Sequence, residues 1–202
     1  MTKLPSQALH EFLRSRRSVR EFQPRPVPDE VLERILDTGI YAPSAHNLQP
    51  WRIVLLRKPE VKRKLALALT ERMRRDMAAE GADAEAIEAR VARSIRRMDE
   101  APVVLLLNRD VDVVRRDAPP EHTMAVQSVA ALALQLMLAA HAEGLGSVWV
   151  CWPLYAQAET RAALALPASW EPQGMLFIGY PAESPEPPPR LPRNAVVWEV
   201  GE

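Results

Sequence analysis

The 202-residue chain carries 26 basic and 26 acidic side chains, so its formal net charge is zero. A neutral chain has no overall field that would attract nucleic acid or a membrane surface, and we expect neither as a partner. The length fits a single domain over residues 1–202, and the one cysteine, Cys151, together with an N-terminus that lacks a signal-peptide core, predicts a cytoplasmic protein without internal disulfides.

The N-terminal region predicts a helix over residues 5–16, and a basic cluster follows it. Four arginines, at positions 14, 16, 17 and 20, surround Ser18. Their charges repel one another unless water or an anion separates them. Arginine suits phosphate because its planar fork donates two hydrogen bonds at once. The charges alone favour a solvated basic helix end, and an anion site is the alternative.

A second helix is predicted from residue 28 to Gly39, and the segment Tyr41–Arg52 that follows reads Tyr-Ala-Pro-Ser-Ala-His-Asn-Leu-Gln-Pro-Trp-Arg. Its prolines restrict the backbone and predict a stiff loop. Its small side chains allow a flat ligand close to the backbone, and amides at positions 47 and 49 can bind a heterocycle edge. Composition alone favours an ordinary helix-to-strand connection.

A strand is predicted over residues 51–56, and two helices rich in arginine and lysine follow over residues 58–98. One interpretation of their basic face is that it attracts an anionic substrate or the phosphates of a nicotinamide. Charge patterning alone favours a solvated helical face.

The central part of the chain predicts a buried strand at 102–107 and a long helix at 121–143. This helix is apolar nearly all round, so we expect it to lie at the centre of the fold or at a subunit interface. Gln127, Ser128, Gln135 and His141 make it too polar for a membrane span. Nowhere in the chain does the spacing of potential ligands predict a metal site.

The C-terminal part predicts a strand at 148–153, a short helix at 157–166, a strand at 173–180, a proline-rich stretch at 181–192 and a last strand at 195–200. Cys151 is interpreted as a small buried packing residue rather than a redox thiol. About five strands alternate with helices, which predicts an α+β fold in which helices wrap a sheet.

Several of these segments resemble the nitroreductase family of flavin enzymes, in the same order along nearly the whole chain. The central loop is similar to the family pattern Ala-Pro-Ser-x-x-Asn-x-Gln-Pro-Trp. The basic cluster matches Arg-Arg-Ser-x-Arg-x-Phe, and Gly144-Leu145-Gly146 matches a later Gly-Leu-Gly segment. Arg190 resembles a late basic residue of the family, with Arg193 as second choice.

The resemblance implies a mixed sheet wrapped by helices, a homodimer with an intertwined C-terminal tail, and FMN at the interface. It implies a variable cover of the substrate pocket at 58–98. The FMN-binding residues that it implies are Arg16, Arg17, Ser18, Arg20, Pro43, Ser44, Ala45, Asn47, Gln49, Val150, Cys151, Trp152, Arg190 and Arg193. Some members carry an acidic residue at the position of Cys151, which leaves the tuning of the flavin and the nicotinamide preference open.

The activity that the resemblance implies is a two-step hydride transfer, from NAD(P)H to flavin and then to a nitroaromatic, a quinone or a similar small acceptor. The flavin carries the chemistry, so no side chain is a firm acid or base; His46 and Tyr41 are weak candidates. Three alternatives stay open. They are a deazaflavin-related reductase, a specialised member that matures a deazaflavin, cleaves flavin or removes halogen, and a non-catalytic flavin-binding protein.

Overall fold

The sheet at the centre of the fold has four strands, and a computed structural model describes it within residues 5–201. The strands are β1 (Trp51–Leu56), β2 (Val103–Asp110), β3 (Gly146–Val150) and β4 (Trp170–Gly179). The α-helices are α1 (Ser6–Ser15), α2 (Asp29–Gly39), α3 (Pro59–Ala79), α4 (Ala84–Glu100), α5 (Pro119–Ala142), α6 (Trp152–Tyr155) and α7 (Gln157–Leu164).

The strand order is β1-β2-β4-β3, and all three pairings are antiparallel. Trp51 of β1 lies opposite Arg109 of β2, and Val103 of β2 lies opposite Ile178 of β4. A parallel bridge between Ser18 and Ser147 adds the N-terminal segment to the outer edge of β3. The α+β class is thus confirmed, and within residues 5–201 the parallel pairing is limited to this one bridge.

Strand β2 separates two core layers because its successive side chains point to opposite faces. Val103, Leu105 and Leu107 pack in one apolar cluster with α2 and α5. Val104 and Leu106 pack in the other cluster with α3 and α4. A strand covered on both faces is apolar throughout, which is why the sequence alone predicts a buried strand at 102–107.

Helix α5 is long and apolar enough to cross a membrane by length and composition, with a mean hydropathy of 1.6. Half of the window that passes this test is buried inside the fold. Leu132 and Leu136 are fully buried in the first core layer, whereas Leu134 is 51% exposed. The predicted central position is therefore confirmed for one face, and the other face lies on the surface of the chain.

The basic N-terminal segment is held against the start of β3. The Val19 amide donates to the Ser147 carbonyl at 3.0 Å. Gly146 permits this approach, since an added Cβ would lie 2.7 Å from Cβ of Val19. The sequence from 16 to 20 is thereby fixed beside the Gly-Leu-Gly segment, over 120 positions away in the chain.

Two predictions about strands are wrong. The described residues contain four named strands rather than five, because the tail at 195–200 forms no strand. Residues Arg193–Ala195 make a single 3-10 turn, and Trp198 beyond it is 90% exposed. The strand predicted at 148–153 lies at 146–150 instead, since Pro153 cannot donate to the sheet and Trp152 begins α6.

Candidate functional site

Arg16 lies half-buried beside β3 with an unsatisfied guanidinium. Its Nη1 atom is buried and has no hydrogen-bond partner among residues 5–201. Burial lowers the pKa of Arg16, and the charges of Arg17 and Arg190 lower it further. A buried cation next to two like charges is costly unless an anion joins it. These three side chains therefore form a cationic group with the chemistry of an anion site.

His141, near the C-terminal end of α5, adjoins the same group. Its ring stacks on Phe12 with centroids 5.0 Å apart, and its Nε2 lies 2.7 Å from Ser15 Oγ. Burial and the charges of Arg16 and Arg17 lower its pKa, so the neutral ring is favoured. Sequence reasoning missed this residue, because only folding brings position 141 next to position 16.

The remaining residues of the predicted clamp separate in their surroundings. Arg17 Nη1 donates to the carbonyls of Arg14 and Arg16, at 2.7 and 3.0 Å. Arg20 lines a separate cavity of about 440 Å³ together with Arg96 and Arg97 of α4. Of the two tail candidates, it is Arg190 whose charge acts on Arg16. Arg193 is exposed in the 3-10 turn.

Strand β3 leads from this cationic group to a larger cavity of about 710 Å³. The strand starts beside Ser18, and Cys151 lies four residues after Ser147, about 13 Å along an extended chain. Val150, Cys151 and Trp152 all line the cavity. Trp152 Nε1 is buried without a hydrogen-bond partner in the described part of the chain.

The interpretation of Cys151 as a buried packing residue is wrong. The thiol is free and exposed, because it lies between the end of β3 and the first turn of α6. The side chain of a residue that leaves an edge strand is not enclosed by a second layer, and this one faces the cavity.

The loop at 41–52 carries three side-chain-bearing residues in the left-handed backbone region. His46, Asn47 and Gln49 have φ values of 52, 55 and 52°. This conformation costs a residue with a side chain about 1–2 kcal/mol relative to the right-handed one. Such strain persists only where surrounding contacts hold it, and it is concentrated at functional sites.

Two hydrogen bonds hold this loop in place. The Ala45 amide donates to Ser128 Oγ of α5 at 3.2 Å, and the Gln49 amide donates to Ser44 Oγ at 3.0 Å. The Gln49 side-chain amide lies 3.3 Å from Asn47 Oδ1. Pro43 is exposed and Ser44 is half-buried, so the loop presents small groups at the surface.

The two weak candidates for proton transfer face solvent. Tyr41 is 83% exposed. His46 is also exposed, and its Nε2 lies 3.2 Å from Nη1 of Arg115. A neighbouring guanidinium does not provide the carboxylate that would orient a histidine base. Nothing in this geometry assigns either side chain to proton transfer.

The two halves of the predicted site lie beside different parts of α5, one near its middle and one at its C-terminal end. The loop contacts Ser128, whereas the cationic group surrounds His141, thirteen residues further along the helix. A helix rises 1.5 Å per residue, so these positions are roughly 20 Å apart. Within one chain, the fold brings 16–18, 141 and 190 together but keeps 43–49 away from them.

The described residues contain no group of three or more histidine, cysteine or acidic side chains that could hold a metal ion. A chain of polar contacts joins Glu171, Arg109 and His122. Arg109 Nη2 donates to Glu171 Oε2 at 2.8 Å, and Nη1 lies 3.0 Å from His122 Nδ1. The neighbouring guanidinium lowers the pKa of Glu171, as expected for a structural ion pair.

The structure combines an antiparallel sheet wrapped by helices, a cationic group at the edge of β3 and a strained loop that contacts Ser128 of α5. The Nitroreductase family model matches residues 13–180. This chain belongs to the nitroreductase family, and the prediction of the family is confirmed.

Individual relatives agree with this assignment. A protein from Thermus thermophilus named NADH dehydrogenase is 32% identical over 214 residues, covering 90% of this chain and 91% of its own. A protein of the nitroreductase type from Desulfovibrio desulfuricans, solved in complex with FMN, is 26% identical with a TM-score of 0.75, and covers 100% of this chain and 99% of its own. A nitroreductase-like protein from Bacillus cereus superposes with a TM-score of 0.79 at 22% identity over 100% of both chains, which supports the fold.

Proposed function

We propose that this protein is an FMN-dependent NAD(P)H oxidoreductase that reduces a small electron-poor acceptor. The observation that carries the proposal is the buried Nη1 of Arg16, unpartnered among residues 5–201, inside a group of three arginines. A phosphate would satisfy this atom and neutralise the group. The relative from Desulfovibrio desulfuricans was solved with FMN, which carries one terminal phosphate.

The residues present fit FMN. Arg16, Arg17 and Arg190 would bind the phosphate, with Ser18 as a hydroxyl donor and Arg20 and Arg193 as further cations. Val150, Cys151 and Trp152 would lie along the ring system, because β3 carries the chain from the cationic group to the wall of the cavity. The neutral ring of His141 would attract a phosphate less strongly than a protonated ring. It stacks on Phe12 beside the cationic group.

When bound, the flavin would supply two-electron chemistry, so that NAD(P)H, a proton and the acceptor give NAD(P)⁺ and the acceptor with two added hydrogens. The protein's task is to hold and enclose the reactants. The loop residues Pro43, Ser44, Ala45, Asn47 and Gln49 would supply small groups and amides for a flat ligand. We propose that the donor and the acceptor occupy one pocket in turn, and that the acceptor is a nitroaromatic or a quinone.

The active form is proposed to be a homodimer. The loop contacts α5 at Ser128 and the cationic group lies at His141, roughly 20 Å further along the helix, so we infer that a second copy supplies one of them to complete each site. Apolar surface supports this assembly: Leu9 and Leu13 of α1, Leu134 of α5 and the tail residues Val196 and Trp198 are all exposed in the single chain. An intertwined tail would cover part of it.

The single domain over 1–202, the role of 58–98 as a variable cover and a cytoplasmic location belong to the same proposal. Helices α3 and α4, which span most of 58–98, line the 710 Å³ cavity that Cys151 faces. A cavity of this volume accommodates an ordinary small-molecule ligand.

The experiment that tests the function is an absorption spectrum of the purified protein, followed by anaerobic addition of NADH and then NADPH. We expect a yellow protein whose flavin bleaches with at least one nicotinamide. A yellow protein that neither nicotinamide bleaches would contradict the proposed donor and favour a deazaflavin partner or a binding role. A colourless protein that takes up no added FMN would contradict the cofactor.

A further inference from the structure

The large cavity has an apolar floor between the sheet and helices α3 and α4. Leu69, Met73 and Met77 of α3 line it from one side, and Phe177 of β4 and Tyr155 of α6 line it from others. Its volume of about 710 Å³ is that of a site for a small organic molecule. Such a floor suits a flat apolar or aromatic compound.

Six arginines of helices α3 and α4 divide into two sets by their partners. On α3, Arg72 binds Asp76, Arg74 binds Glu88 and Arg75 binds Glu159, each at 2.7 or 2.8 Å. On α4, Arg90, Arg93 and Arg97 line the cavity, and none of them has a carboxylate within 4.0 Å in residues 5–201. These three arginines thus differ from Arg72, Arg74 and Arg75 in lacking a carboxylate partner among the described residues.

The three arginines without partners share one face of α4. Their spacing of three and then four residues places them in line along the helix. Like charges at this spacing destabilise a helix. Arg97 is half-buried, and burial together with the charges of Arg20, Arg93, Arg90 and Arg96 lowers its pKa. Solvation accounts for Arg90 or Arg93 taken alone, because both are exposed. It does not account for a row of three arginines that line one cavity.

Acidic groups do not cancel this row. Asp76 and Glu80 are the carboxylates that line the cavity, against four arginines. Asp76 is already bound by Arg72 through two hydrogen bonds to its carboxylate, at 2.7 and 2.9 Å. Glu80 is exposed at the C-terminal end of α3, away from the apolar floor lined by Leu69. The cavity therefore combines an apolar floor with a net positive wall.

We infer that the acceptor reduced at this site is an apolar or aromatic molecule that carries a carboxylate or a similar anionic group, and that Arg90 and Arg93 bind this group. The inference rests on the proposed function and specifies its substrate class. The apolar body of the acceptor lies on the floor beside Cys151 and Trp152, and its anionic end is bound at α4. Arg97 also lines the 440 Å³ cavity that contains Arg20, so it is less suited to a test that must spare the phosphate site.

The test compares two acceptors of the same shape, 4-nitrobenzoate and 4-nitrobenzamide, in the FMN-loaded enzyme with NADH as donor. We expect kcat/KM to favour 4-nitrobenzoate in the unmodified enzyme. In the double variant Arg90→Gln/Arg93→Gln this preference should fall by about tenfold or more, since each charge-assisted hydrogen bond is stronger than a neutral one. Arg90→Lys/Arg93→Lys should restore part of it. The matched control Arg74→Gln removes an arginine that has a carboxylate partner, and its preference should not change.

A binding measurement separates this inference from the proposed function. Benzoate cannot accept electrons here, and its dissociation constant, from the change in flavin absorbance or from calorimetry, should rise about tenfold in the double variant. Benzamide should show no such change. If the unmodified enzyme and the double variant show the same preference and bind benzoate equally, the inference is wrong. Continued reduction of 4-nitrobenzamide by the double variant would show that the proposed oxidoreductase function is unaffected. If the double variant loses discrimination between NADPH and NADH instead, the row binds a nicotinamide phosphate and the inference for the acceptor is wrong.

Discussion

The proposed site has two ends that lie beside different parts of α5: the cationic group around His141 and the loop that contacts Ser128. At the His141 end, the proposed binding groups are side-chain charges on a backbone with ordinary geometry, and Nη1 of half-buried Arg16 has no hydrogen-bond partner within residues 5–201. At the Ser128 end, the side chains are small and the backbone itself is strained at His46, Asn47 and Gln49. The His141 end therefore has unfavourable electrostatics, and the Ser128 end has unfavourable backbone dihedral angles.

This difference indicates what each end is suited to bind. Unpaired cations gain most from a compact anion, because a single phosphate can accept several hydrogen bonds at once. A stiff loop of small residues gains most from a flat neutral surface, because little conformational entropy remains to be lost on binding. FMN contains both kinds of group. Because the two ends are roughly 20 Å apart along one helix, contact of one FMN with both kinds of end depends on the proposed dimer.

The largest effect is expected from mixing two inactive variants. Arg16→Gln/Arg17→Gln removes the cationic end, and Asn47→Gly/Gln49→Gly removes the loop amides while glycine tolerates the positive φ. If each site takes its ends from different copies, a mixed dimer has one intact site. Co-refolding equal amounts should restore about a quarter of the nitroreductase activity from nearly none.

The control for this experiment is the double-damaged chain mixed with unmodified chain. Its mixed dimers have no intact site under the shared-site arrangement, but one intact site if both ends come from the same copy. Activity after the first mixture that stays at the level of either variant alone would show that the ends are not shared between subunits. Circular dichroism establishes that each variant is folded.

The next largest effect concerns the cationic end alone. Arg16→Gln should weaken FMN binding by about 1.5–3 kcal/mol, which is roughly tenfold to hundredfold in the dissociation constant. The same change should not lower the melting temperature of the FMN-free protein, because it removes a buried charge that has no partner within residues 5–201. Quenching of flavin fluorescence measures the first quantity and calorimetry the second.

Arg14→Gln is the matched control, since Arg14 is exposed in the last turn of α1. An Arg16 variant that retains FMN as the unmodified protein does would contradict the phosphate site.

At the loop end, we expect a substitution to change the stability of the protein more than its affinity for FMN. Ser128→Ala leaves the Ala45 amide without its acceptor, and we expect the free energy of unfolding to fall by about 1–2 kcal/mol. Thr123→Ala is a matched control on the same helix, because Thr123 bonds the carbonyl four residues earlier but is exposed. Denaturant unfolding of the two FMN-free variants measures the difference. Equal losses would show that Ser128 does not hold the loop.

The smallest effect is a pH dependence at the cationic end. Burial, Arg16 and Arg17 lower the pKa of His141 in the folded chain, so the unfolded chain binds the proton more readily. The stability that depends on neutral His141 is therefore complete above the ordinary histidine pKa of about 6.5. It is lost as the pH falls below that value towards the pKa in the folded chain.

We expect His141→Gln to reduce this slope, measured as the pH dependence of denaturant unfolding from pH 8 to pH 5. Bound FMN should flatten the slope in the unmodified protein, because its phosphate would offset the arginine charges. A slope that is the same in the two proteins would exclude His141 as its source.

The sequence determined the elements whose signals are local. The apolar run of β2 and the periodic stripes of α3 and α4 appear in the structure within a few residues of their predicted bounds, because burial on both faces or on one face leaves a direct pattern. The motifs around Arg16, Asn47 and Gly146 indicated the family, which the comparison confirms. Their roles in binding are still predictions.

Only the tertiary structure decided which residues meet. His141 joins Arg16 because an isolated bridge between Ser18 and Ser147 fixes two distant segments side by side. Cys151 is exposed because β3 ends one residue earlier, where the sequence pattern alone reads as a continuous strand. The tail forms no strand within the described residues: it makes a 3-10 turn at Arg193–Ala195, and Trp198 beyond it is exposed. Periodicity records the face that each element buries, whereas pairing, strand ends and the separation of two sites along one helix depend on contacts between residues far apart in sequence.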